Sequence, residues 1–272
     1  MRQFMSANSV FYLQRDVYEE YEEYKDDFKQ VIKERETRRL IFLHQSPQIF
    51  YRGSLVQYVK MVCIDRGLSH SSLHLAVYLM DLFMDNHHVI PEKLLLVANV
   101  CLMISAKLEE NALKIPKISE LNALIGNRYT TLDYTNLEVL VIQFFNFYLN
   151  FPCAVHYVFY YMQEFICYED LKGDRNVRTL FYDLYDAITV HLDRIIEDVH
   201  YMQCYKPSVL AAAVIAASRL DIGLSLWTQQ LENLTEYTEE DLRDVAQILL
   251  KNDGLQCAKC TPPSIIKCID SM

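Results

Sequence analysis

The chain has 272 residues and a formal net charge of −10, with 51% hydrophobic and 12% aromatic residues but only 6 glycines and 7 prolines. So much apolar material excludes a wholly disordered chain. Glycine and proline lie well below their usual shares of roughly 7% and 5%, which argues against turn-rich all-β and Rossmann-type architectures. The acidic balance repels a phosphate backbone, and in the most basic stretch, Lys33 to Arg39, Glu34 and Glu36 stand among the cations, so no nucleic-acid partner is expected.

The opening Met-Arg-Gln-Phe-Met-Ser-Ala-Asn lacks the apolar core of a signal peptide, and the uncharged run from Leu94 to Ala106 is too short to span a bilayer. A location in the nucleus, the cytoplasm or both is expected, without a membrane partner. Of the eight cysteines, Cys63, Cys101, Cys153, Cys167 and Cys204 sit among apolar residues and read as small core fillers.

In chain order, residues 14–36 place Val17, Tyr21, Tyr24, Phe28 and Val31 on one helical stripe. Ser46-Pro47 caps a helix that ends at Arg66-Gly67, and Ser71-Ser72 cap one from Leu73 to about Met84. Pro91 opens a third helix to Glu109, Pro116 a short fourth to about Leu124, and Thr131 a fifth to about Tyr148. The pattern then repeats: Pro152 to about Cys167, Val177 to Glu197, Pro207 to Leu220, Leu226 to Leu234, and Glu239 to Leu250. The third helices of the two halves end alike, Ala106-Lys107-Leu108-Glu109 against Ser218-Arg219-Leu220-Asp221. The fold class is therefore all-α: two tandem five-helix bundles, at 41–150 and 151–251, behind an N-terminal helical segment (1–40) and before a flexible tail (252–272).

Charges stranded in apolar sequence are the informative ones, since a buried ion must find a partner. Glu138 is the only charged residue between Asp133 and Glu164, and Lys107 follows a long uncharged run. Asp81 interrupts an apolar helix, and Arg52 on the preceding helix is its natural partner in a structural ion pair. Catalytic residues are not in view. There is no glycine-rich phosphate loop and no nucleophile elbow, so no enzyme, cofactor or small-molecule ligand is expected. His87 and His88 point to different faces of a helix, and Cys257, Cys260 and Cys268 lack a fourth ligand, so no metal is expected either.

These residues together resemble a cyclin, most closely the cyclin J group. The likeness begins at Gln45-Ser46-Pro47-Gln48 and runs through both repeats to about residue 250. It is clearest in Leu73 to Asp85, Ile104-Ser105-Ala106-Lys107-Leu108-Glu109-Glu110, Leu137-Glu138-Val139-Leu140, and Phe147 to Pro152. The resemblance implies a regulatory subunit that binds a cyclin-dependent protein kinase as a heterodimer and activates it by docking on its C helix, in cell-cycle control. It makes Lys107 and Glu138 the polar centre of the kinase-binding surface, with Ile104, Leu108, Ile142, Phe147 and Leu149 as apolar neighbours. It sets the helix at 14–36 against the second box. It also leaves little room ahead of the first helix for the destruction signals of mitotic members.

A second family surface, which captures substrates with an Arg-x-Leu motif, is divergent here: Tyr51, Ser54, Leu55, Tyr58, Leu94 and Leu95 occupy it, with Met61 at an acidic position. The alternative is a non-catalytic cyclin-box scaffold, meiotic or transcriptional, that acts without activating a kinase.

Overall fold

The computed structural model describes residue 24 and residues 27–40, 42, 46–171 and 176–251. The chain forms two compact units, Met1–Arg39 and Leu40–Met272. In the first, helix α1 spans 27–37, with a Gln30–Glu34 side-chain bond one turn apart and Tyr24 and Val31 exposed. Val17 and Tyr21 of the expected stripe lie outside the described residues, as do Cys257, Cys260, Cys268 and the tail.

The second unit carries α2 (Ile49–Arg66), α3 (His70–Asn86), α4 (Leu94–Glu109), α5 (Ile118–Leu124) and α6 (Thr131–Phe144) as its first repeat. Its second repeat is α7 (Ala154–Tyr161), α8 (Val177–Glu197), α9 (Val199–Cys204), α10 (Pro207–Asp221), α11 (Gln229–Thr235) and α12 (Glu239–Lys251). Among the described residues every regular element is helical, so the all-α expectation holds.

Local chemistry sets the boundaries. Gly67 closes α2 at φ 63, a left-handed conformation glycine adopts at little cost. Ser69, rather than Ser71 or Ser72, caps α3 by accepting the Ser72 N–H. Thr130 and Asp133 form a reciprocal capping box on α6, and Pro207 occupies the first turn of α10.

Three expectations need correction. The helix from Pro152 stops at Tyr161, well short of Cys167, and a 3-10 turn at Tyr168–Leu171 follows. The helix from Thr131 stops at Phe144, because Asn146 and Phe147 turn left-handed, at φ 51 and 62. Helix α9 is an extra element, too short for periodicity to reveal.

At the centre of the first repeat α3 and α4 pack side by side, with α2 and α6 against α4; α10 takes the central place in the second, against α7, α8 and α12. Ser71–Met84 of α3 and Leu94–Ala106 of α4 are buried throughout. A helix that is apolar all round belongs in a core. The repeats meet where α2 packs on α8 and α3 on α7.

Candidate functional site: the α4–α6 surface and its charged pair

The end of α4 is where the core helix reaches solvent. Ile104 is 2% exposed, whereas Lys107 and Leu108 emerge one turn later. Lys107 Nζ donates to Glu138 Oε1 of α6 at 2.5 Å, with the two side chains 44% and 17% exposed. The structure thus brings together the two charges singled out in the sequence. An ammonium has three donors and a carboxylate two acceptor oxygens. Among the described residues two of those donors and one of those oxygens remain unspent. A half-exposed ion pair contributes only about 0–1 kcal/mol to stability, so this pair has little structural reason to be there.

The chain leaving α6 builds the rest of the surface. The Asn146 N–H bonds Gln143 O and the Phe147 N–H bonds Ile142 O, both at about 3 Å, as in a Schellman closure. That motif folds Phe147 back over the turn that carries Ile142. Asn tolerates the left-handed region; a bulky Phe pays for it, and Phe147 is 76% exposed besides. Strained backbone that presents an aromatic ring to solvent is the kind of feature found at recognition sites. Leu149 and Ile142 are half-buried beside it. Ile104 is the exception among the anticipated contacts: its side chain faces the core and backs the surface from within.

The divergent docking patch is mostly covered. Leu55, Tyr58, Leu94 and Leu95 are all buried, and Tyr51 and Ser54 are half-buried. Tyr58 is engaged inside: its hydroxyl donates to Asn99 Oδ1 at 2.7 Å, and Asn99 Nδ2 donates to Leu121 O and to the Tyr134 hydroxyl. Burial pushes the Tyr58 phenol well above its ordinary range, although the Asn99 bond opposes the shift. The large apolar side chains that α2 does expose are Phe50, Met61 and Ile64.

Arg52 and Asp81 meet as a buried fork, with Nε and Nη2 both reaching the carboxylate at 2.9–3.1 Å. The same guanidinium donates to Ile196 O and Glu197 O at 2.8 Å, capping α8 across the repeats. His87 stacks on Phe83, and its Nδ1 lies 2.9 Å from Phe83 O. Cys63, Cys101, Cys153 and Cys167 are buried, but Cys204 is exposed, because α9 is a separate surface element and not part of a core helix.

The second repeat answers the Lys107 position in the opposite way. Arg219 is fully buried and forks onto Asp170 at 2.9 Å, with Phe165 O and Ser225 O as further acceptors. Burial alone would raise the Asp170 carboxyl, but the Arg219 and Cys167 bonds hold it below its ordinary value. The matching helix end is therefore closed by the chain's own 165–171 segment. Sequence reading missed this pair, although the aligned Ser218-Arg219-Leu220-Asp221 was the available signal.

Residues 24–150 match the family model for the cyclin N-terminal domain, and residues 192–263 that for the cyclin C-terminal domain. The chain belongs to the cyclin family. This cyclin is 31% identical to human Cyclin-J over 241 residues, covering 84% of the chain and 61% of that relative. It is 27% identical to the fruit-fly (Drosophila melanogaster) G2/mitotic-specific cyclin-A over 82% of the chain and 43% of that relative. The chain thus spans about three fifths of the length of the Cyclin-J relatives it matches. Its fold resembles that of a viral cyclin from Herpesvirus saimiri, with a TM-score of 0.64 at 18% identity, covering 82% of this chain and 96% of that one. Among the described residues, no helix of this cyclin is long and apolar enough to cross a membrane.

Proposed function

We propose that this cyclin is the regulatory subunit of a cyclin-dependent protein kinase, and that it activates the kinase by docking the α4–α6 surface against the kinase C helix. In this reading the N-terminal segment ends near residue 40, and two cyclin boxes at 41–150 and 151–251 precede the tail. The carrying observation is the half-exposed Lys107–Glu138 pair with donors and an acceptor unspent, ringed by Leu108, Ile142, Phe147 and Leu149. A partner helix offers backbone carbonyls and N–H groups to such a pair and apolar side chains to the ring. Cyclin itself performs no chemistry. Its binding free energy favours the kinase conformation in which the C-helix glutamate reaches the ATP-site lysine and the activation loop is ordered.

The test is direct: combine the purified chain with a panel of cyclin-dependent kinases, and measure complex formation and phosphorylation of a histone substrate. Lys107→Ala and Glu138→Ala are each expected to weaken binding by about tenfold to a hundredfold, the range of a charge-assisted hydrogen bond, with activity falling in step. Normal binding by the double variant would remove this surface from the interface. Failure to bind any kinase would favour a scaffold.

A further inference from the structure

Three charged residues close together at the end of α4 are each tied to a different element. Lys107 is tied to α6. Glu110 accepts the Ser69 N–H and the Ser72 hydroxyl at the start of α3. Glu109 reaches into the second repeat, where its Oε1 lies 3.2 Å from His156 Nε2 in the first turn of α7. The Cys153 N–H donates to His156 Nδ1 at 2.9 Å. That bond makes Nδ1 the acceptor, so Nε2 carries the hydrogen and donates to Glu109. The imidazole is thus an oriented bridge with one acceptor and one donor, both used.

This bridge closes a ring. Lys107–Glu138 joins α4 to α6; the chain runs on from α6 through Phe147 and Leu149 to Cys153 and α7; His156–Glu109 returns to α4. The connector that displays Phe147 is clasped at its base by buried Phe145 before it and Phe151 after it, which meet edge-on at 5.6 Å. Its far end is held to α4 by the bridge. In the second repeat Asp221, aligned with Glu109, likewise accepts from a buried histidine, His191 Nε2 of α8, at 2.7 Å.

We propose that Glu109 and His156 are a positioning pair, which fixes the Phe147–Leu149 connector relative to Lys107 and Leu108 and so sets the shape of the partner-binding surface. The partner side of this inference rests on the kinase-binding reading above; the geometric side does not.

Two variants separate the bridge from the helix cap. His156→Gln keeps an acceptor for the Cys153 N–H and a donor for Glu109. His156→Asp keeps the cap, as Asp133 does for Thr130, but sets a carboxylate against Glu109. With 4-fluorophenylalanine at position 147 of the full chain, the 19F resonance of the free protein is expected to shift in His156→Asp and in Glu109→Ala, and to return to the parental position in His156→Gln. Kinase affinity is expected to fall about tenfold in the first two, the scale of coupling between neighbouring residues, and to recover in the third. An unshifted resonance in His156→Asp and Glu109→Ala overturns the positioning role whatever the affinities do. A shifted resonance in a chain that binds no kinase upholds the positioning pair and overturns the kinase reading instead.

Discussion

Phe147 is costly to the free chain in two ways, exposing an aromatic ring and holding a left-handed backbone that Asn or Gly would hold more easily. Its neighbour Asn146 shows what a residue chosen for the turn alone looks like. Phe147→Asn is therefore expected to leave thermal stability unchanged or raise it by up to about 1 kcal/mol, while kinase binding weakens. A clear loss of stability in Phe147→Asn, measured by thermal unfolding, would make the ring structural. Lys107 and Glu138 stood out in the sequence because they interrupt long uncharged runs. Phe147 stood out only through resemblance, since nothing in Phe-Asn-Phe-Tyr announces a positive φ at the second Phe. Nor did the sequence reveal that Tyr58 points inward. A tyrosine on an amphipathic helix fits either environment, and the presence of Asn99, Leu121 and Tyr134 around its hydroxyl depends on three other elements.

Helix α3 shows what full burial does to a titratable group. His74 is 3% exposed, and its Nε2 has no hydrogen-bond partner among the described residues. Burial first, and then the proximity of His70, push its imidazole down to about 3. In the unfolded chain the same group titrates near its ordinary pKa of about 6.5. Between those values the unfolded state binds a proton that the folded state refuses, so this group's contribution falls as pH falls. The loss is about 1.4 kcal/mol per pH unit. Urea unfolding of the parent and His74→Leu between pH 7 and pH 4 is expected to show a shallower acid decline in the variant. Parallel declines would place a protonated His74 in the folded state. The helix itself was legible from Leu73 to Met84, where apolar residues leave little room for a solvated face. Its true start at His70 was not, because Ser69, Ser71 and Ser72 are equally good caps by composition, and only the bonds to Glu110 select Ser69.

At the scale of the whole molecule, residues 40–272 form one compact unit although they comprise two repeats. Arg52 is one reason. Its fork holds Asp81 within the first repeat and the last carbonyls of α8 in the second, and Lys60 adds bonds to Asp193 and Glu197 at 2.9 and 3.1 Å. Breaking a buried pair leaves an uncompensated charge and costs about 3–5 kcal/mol. Asp81→Ala and Arg52→Ala are thus expected to lower the unfolding midpoint, and Arg52→Ala, which also uncaps α8, to split or broaden the single calorimetric transition expected of the parent. A transition as sharp as the parental one in Arg52→Ala would show that the repeats are joined by other contacts.

The duplication also explains why one helix end faces outward and its counterpart does not. Between α2 and α3 the chain needs only a tight turn at Gly67, whereas between α7 and α8 it runs through Phe165, Cys167 and Asp170, long enough to cover the end of α10. Apolar periodicity, caps and stranded charges are properties of neighbours along the chain, so the sequence alone determined most of the helices though not all their ends, their duplication, the Arg52–Asp81 pairing and the prominence of Lys107 and Glu138. Whether a charge at a helix end stays at the surface, as Lys107 does, or is sealed in, as Arg219 is, depends on which distant segment fills the space beside it. Burial and hydrogen-bond partners are set by packing across many residues of separation. Only the tertiary structure therefore decided that Tyr58 belongs to the core, that Ile104 faces inward, and that Glu109 grips His156.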